Sequence, residues 1–320
     1  MPTAAAAADA PSRVGFLGPP GTFTEQALMT QPDLVAGELV PMASISDVLA
    51  ATESGELDVG FVPVENAIEG TVNVTLDTLA FESDLLITRE VVISVQLNLL
   101  VVPGASLADI RRVVSFPHAT AQCRRFLATK LDSVTVVAAN STAEAARVLG
   151  EERDPASAAI GTALAASMYG LDVGATGIAD HPENQTRFVT VMAPSAGIPA
   201  PTGHDKTTLV VFQHDDRPGS LLAILQEFAA RAINLTKLES RPTKRGLGQY
   251  CFALDCEGHV ADELVADCLR DLKSKQADVK FLGSYPAAGD HGEAVRRASD
   301  ASWRAADTWV TDLRGRVTSR

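Results

Sequence analysis

A series of short apolar runs, Val14 to Leu17, Leu39 to Pro41, Val59 to Val62, Val113 to Ser115, Val134 to Val137, Ala158 to Ile160 and Val189 to Met192, alternates with segments of helical period. Strand and helix in alternation predict an α/β architecture with largely parallel sheets, because each returning helix must cover a sheet face. The run Glu90 to Val102 is long, β-branched and without a turn signal until Pro103-Gly104, and is expected to carry the chain from one sheet to another. Two α/β lobes follow, crossed near 90–102 and again near 178–188. The pattern then stops. Residues 194–206, rich in Pro and Gly and without periodicity, read as a linker. Beyond it the order is strand 207–213, helix 220–232, strands 235–241 and 249–255, helix 262–273 and strand 279–283, a βαββαβ order that makes an antiparallel, ferredoxin-like sheet. The domain expectation is therefore a leader at 1–12, an α/β region at 13–193, a second module at 207–285 and a tail at 286–320. Val295, Ser299, Trp303, Ala306, Trp309, Val310 and Leu313 give that tail an amphipathic helical period.

At 320 residues the chain is long enough for two or three domains with their own cores. Its formal charge of −13 repels phosphate backbones and acidic lipid, which argues against nucleic acid or a membrane as partner. Any anionic ligand must then be held by local groups. The alanine-rich start lacks a basic n-region and an apolar core, so a cytoplasmic protein is expected. Cys123, Cys251, Cys256 and Cys268 show no metal-ligand or disulfide spacing and are expected to be buried thiols. No metal site and no nucleophilic triad are expected.

The chemistry-bearing residues cluster at strand-to-helix junctions. Gly18 to Glu25 follows the first strand, with Thr22 and Glu25 in capping-box spacing; such a helix start offers free amides to an anion. Glu65, Asn66 and Thr71 follow the third apolar run, at the carboxyl end where α/β sheets build ligand sites. Ser115 to Cys123 and Asn140 to Glu144 repeat the theme, the latter with a second capping box between Ser141 and Glu144. Asn184, Thr186, Arg187 and Phe188 place a neutral hydroxyl beside a guanidinium where a loop enters a strand. That pairing suits an anionic substrate that must lose a hydroxyl.

In this order and at these intervals, Gly18 to Glu25, Glu65 to Thr71, Ser115 to Cys123 and Asn184 to Phe188 resemble the catalytic domain of prephenate dehydratases. Gly219-Ser220-Leu221-Leu222 and Glu239-Ser240-Arg241-Pro242 resemble the two phenylalanine-binding motifs of an ACT regulatory domain. The resemblance covers roughly residues 13 to 285. Ser220 stands where alanine is usual, and Phe116 stands where histidine is common before Pro117, which leaves that loop a supporting role. The resemblance implies a two-lobed catalytic domain of the periplasmic-binding-protein type II plan, and no fused chorismate mutase. It further implies decarboxylating dehydration of prephenate to phenylpyruvate without a cofactor, feedback by L-phenylalanine, and a homodimer or homotetramer built through paired ACT domains. On this reading Thr186 hydrogen-bonds the departing hydroxyl, Glu65 stands in a possible relay and Arg187 holds a substrate carboxylate. Thr22, Asn66, Thr71, Asn184 and Phe188 complete the substrate site. Arogenate dehydratase and a non-catalytic amino-acid sensor remain as alternatives.

Overall fold

The computed structural model describes residues 13–131, 133–213, 217–244, 246, 249–276, 278–288 and 308–316. The leader and much of the tail, including Val295, Ser299, Trp303 and Ala306, lie outside the described residues; 308–315 are helical. By contacts the chain forms two compact units, one of residues 1–78 and 91–191, the other of 79–90 and 192–320.

The first unit holds two sheets. β1 (Arg13–Leu17), β2 (Glu38–Met42), β3 (Val59–Asn66), the two-residue β4 (Gly70–Thr71) and β5 (Leu86–Ser94) start the first. β6 (Asn98–Val101), β7 (Arg112–Ser115), β8 (Thr135–Ala138), β9 (Ser157–Gly161) and β10 (Asp172–Ala175) form the second, and β11 (Gln185–Met192) returns to the first. The strand orders are β2-β1-β3-β11-β5 and β8-β7-β9-β6-β10. Both sheets thus repeat one plan, in which a strand arriving from the other lobe is inserted beside the third strand. Those arriving strands, β11 and β6, run antiparallel to β3 and β9. The sheets are therefore mixed rather than largely parallel. A chain that crosses from the opposite lobe enters its new sheet from the other end, and alternating helices alone do not reveal this.

Across Glu90 to Val102 the chain runs from β5 in one sheet to β6 in the other. The strand that follows the second crossover starts at Gln185, earlier than the apolar run at Val189 indicated, because polar residues pair along the ladder as readily as apolar ones. In the first lobe Val14, Phe16, Leu49, Val59, Phe61 and Phe188 are buried. The second lobe packs Leu99, Val113, Cys123, Ala158 and Ile160 under one face of its sheet and Leu100, Ala146, Leu149 and Ala159 under the other. All four cysteines are buried, and burial raises the Cys123 and Cys268 thiols to about 12, which keeps them protonated.

The second unit contains β12 (Asp205–Phe212), β13 (Leu235–Pro242), β14 (Tyr250–Glu257) and β15 (Asp278–Pro286), in the order β13-β14-β12-β15, with helices Ser220–Ala229 and Glu263–Lys275 packed on them. The βαββαβ order read from sequence is present. Leu79–Glu90 joins this unit through specific contacts. Lys280 Nζ donates to the carbonyls of Ala80 and Ser83 at 3.3 and 2.6 Å, satisfying carbonyls at the end of a buried helical turn. Lys206 Nζ meets the fully buried Glu90 carboxylate at 2.8 Å. Gly283, at φ +141°, lies so close that a Cβ would stand 2.2 Å from the Ile87 carbonyl oxygen, so glycine is required there.

Candidate active site

A cavity of about 670 Å³ in the first unit collects the junctions singled out in the sequence. Thr22, Asn66, Asn184 and Thr186 line it together with Gly18, Pro19, Ser141 and Thr142. Local chemistry explains the placement of each. Thr22 caps helix Phe23–Leu28 by accepting from Glu25 N, while the Glu25 carboxylate turns back to the Gly21 amide at 2.5 Å. Ser141 caps helix Thr142–Glu152 in the same way, with Glu144 Oε2 accepting from Asn140 N at 3.0 Å. The two capped starts come from different lobes and face one cavity.

Register brings the central pair together. Thr186 stands opposite Asn66 across β3 and β11, and Asn66 Nδ2 donates to Thr186 Oγ1 at 2.8 Å. The Asn66 amide cannot be turned over, since its Oδ1 accepts from Ile68 N and Glu69 N, both at 3.0 Å. Thr186 Oγ1 is therefore an acceptor toward Asn66, and its own proton is left for whatever occupies the cavity. This is the arrangement a departing hydroxyl needs.

Strand alternation splits the remaining expected residues from these. Arg187 and Glu65, the next register pair, do not line the cavity. Their side chains meet at 3.4 Å with Arg187 only 11% exposed, and Thr71 stands opposite Glu65 on the short β4. Phe188 is 1% exposed, its ring stacked on Phe61 with centroids 5.4 Å apart. It was expected at the substrate, and the structure places it in the core: two residues further along β11 than Thr186, it opens the stretch in which both faces of the strand are buried.

The cavity also takes residues to which the sequence reading gave no individual role. Gln122 lines it and is held from both ends: it accepts from Asn184 Nδ2 at 3.1 Å and donates to Glu69 at 3.0 Å. His118 meets the same Glu69 carboxylate at 3.0 Å and stacks on the cavity-lining Phe116. Arg147, five residues into the helix after Thr142, lines it as well. Gln122 lies inside the Ser115 to Cys123 motif, where nothing local marks it above its neighbours, and an Arg on an exposed helix face carries no local signal.

In the second unit, a pocket of about 480 Å³ is lined by Gly219, Ser220, Leu221, Leu222 and Ser240, with Arg217, Tyr250 and Phe252. Gly219 has φ +89° at the start of its helix, and Ser220 Oγ donates to Gln213 at 2.9 Å. Glu239 and Arg241, expected in the same site, alternate to the other face of β13, where they meet each other at 3.4 Å. Pro242 ends that strand and is not among the lining residues.

A two-lobed α/β enzyme whose interlobe cavity presents fixed neutral donors, joined to a ferredoxin-like effector module, is the class that fold and site define. Comparison with known proteins gives the family of each part. Residues 14–196 match the family described as prephenate dehydratase, and residues 207–274 the ACT domain. A prephenate dehydratase of Mycolicibacterium vanbaalenii is 44% identical over 91% of this chain and 96% of its own. Among solved structures, a prephenate dehydratase from Arthrobacter aurescens in complex with L-Phe is 40% identical, with a TM-score of 0.85 over 94% of this chain and 99% of that one. GqqA, described as a novel type of quorum quenching acylase, is 28% identical with a TM-score of 0.76, covering 86% of this chain and 98% of that one. The chain belongs to the prephenate dehydratase family, carbon–oxygen lyases, and carries an ACT domain.

Proposed function

We propose that the cavity between the lobes binds prephenate and holds it while the ring carboxylate leaves as carbon dioxide and its electron pair expels the ring hydroxyl, giving phenylpyruvate. The carrying observation is the Asn66–Thr186 pair, whose polarity leaves one hydroxyl proton free to meet the departing oxygen. Hydroxide takes up a proton and departs as water. Aromatisation supplies the driving force, so the protein's task is orientation and electrostatic support at the leaving group. Asn184 adds to this reading as a cavity-lining amide held in place by Gln122. Glu65 and Arg187 act from the far face by keeping β3 and β11 in register, which holds Asn66 opposite Thr186.

Purified protein given prephenate should form phenylpyruvate, read by its enol absorbance. Formation of phenylalanine from arogenate but nothing from prephenate would move the substrate assignment, and no product from either would favour a sensor. Acyl transfer, the description of one relative, uses a nucleophile beside a base. Among the described cavity-lining residues the hydroxyls have no His, Lys or Cys beside them.

The ACT pocket at Gly219 to Leu222 and Ser240 is proposed to take L-phenylalanine, which is bound in the Arthrobacter relative's structure. Paired ACT domains of two chains, and a cytoplasmic biosynthetic role, belong to the same reading; no described helix is long and apolar enough to cross a membrane. Gly219→Ala forces an L side chain into left-handed backbone at the head of that pocket. It should weaken phenylalanine inhibition by about tenfold, within the usual span of allosteric coupling, while uninhibited turnover stays near normal. Inhibition curves of the two proteins check this, and an unshifted curve would count against the pocket.

A further inference from the structure

The dehydratase reading requires the cavity to hold a dianion, yet Arg187 lies off it. We propose that Arg147 is the cation that binds the substrate, taking the side-chain carboxylate that persists in the product; the inference rests on that reading of the site. Among the described residues lining the cavity, Arg147 is the one cation and Glu144 the one carboxylate. Glu144 is turned back to cap its own helix through Asn140 N, and the other polar side chains of the lining are neutral amides and hydroxyls. With the whole chain at −13, a dianion entering the cavity has no other fixed positive charge on its wall to meet.

Arg147 is placed to serve as well as present. It stands three residues after Glu144 on helix Thr142–Glu152, so the two share a face of the helix whose capped start also borders the cavity. Its Nη1 meets Glu151 at 2.7 Å in an i, i+4 pair, with side chains 42% and 64% exposed. Such a solvated pair is weak and leaves further N–H groups of the guanidinium for a second carboxylate. The fork then matches a ligand carboxylate in two-point fashion.

Chemistry selects which carboxylate. A cation on the ring carboxylate would stabilise the charge that has to leave as carbon dioxide and would slow the reaction. The pyruvyl carboxylate keeps its charge from substrate to product, so holding it costs nothing in the transition state. Arg147 should therefore act on binding and leave the chemical step alone.

The test uses the full chain with Arg147→Gln and Arg147→Lys. Because Arg147 is partly exposed, thermal midpoints should match the parent protein. Arg147→Gln should raise KM for prephenate about 10- to 100-fold, the range for a lost charge-assisted hydrogen bond, with kcat within about threefold. Arg147→Lys should recover part of the affinity at low salt, keeping charge but losing the fork. Calorimetric titration with phenylpyruvate should show the same ranking, since the product retains the carboxylate concerned. An unchanged KM and unchanged phenylpyruvate affinity in Arg147→Gln would overturn the proposal, as would a fall in kcat with KM unmoved, or no binding of phenylpyruvate by the parent protein. Failure of the parent protein to turn over prephenate would fall on the dehydratase reading, and the phenylpyruvate titration would still decide the role of Arg147.

Discussion

Thr186→Ala should lower kcat with prephenate by about 10² to 10³, the range for losing one preorganised donor at a developing charge. The size follows from how the hydroxyl is held. Asn66 Nδ2 fills the acceptor side of Thr186 Oγ1, and Asn66 is itself clamped by two backbone amides, so the donor is set before substrate arrives and needs no reorganisation. Thr186→Ser keeps Oγ at the same place and should retain most of the rate. Asn66→Asp offers a comparison: a carboxylate would accept from Thr186 and take away the proton meant for the leaving group, so kcat should fall although the volume is unchanged. Steady-state kinetics on the three variants, with circular dichroism to show that each folds, decides the matter. A Thr186→Ala protein with near-normal kcat would leave the leaving group without its proposed donor.

Phe188→Ala should cost about 3–5 kcal/mol of stability, as removal of a fully enclosed aromatic ring generally does. The ring is 1% exposed and stacked at 7° on Phe61, which is itself fully buried, so its loss empties a space with no solvent access and removes an aromatic pair. Phe188→Leu refills much of that space and should cost less, with KM for prephenate near the parent value. Urea or thermal unfolding measures the first effect and steady-state kinetics the second. If Phe188→Leu folded normally but raised KM tenfold or more, the ring would have to reach the substrate after all.

These two residues sit two apart in one strand and show what could be read in advance. The helix starts at Thr22 and Ser141 and the βαββαβ order rest on local rules of capping and periodicity, and each is found where the sequence places it. The family motif around Thr186 was legible too, as a set of residues. Its geometry was not. A period of two says that Asn184 and Thr186 share a face that Arg187 does not, but nothing local says which face meets the cavity, or that both faces of the strand are buried from Phe188 on.

What the amino-acid sequence by itself determined was the element order, the second module and the hydroxyl and amide groups available to the site. What only the tertiary structure decided was their partnership. Asn66 and Thr186 are 120 residues apart and meet through ladder register, Gln122 reaches Asn184 and Glu69 from the turn after helix Pro117–Ala121 of the second lobe, and Arg147 joins the cavity through the packing of its helix. Capping and periodicity act over one or two turns of chain, whereas register and lobe packing are set by the burial of whole sheet faces, which a reading along the chain does not contain.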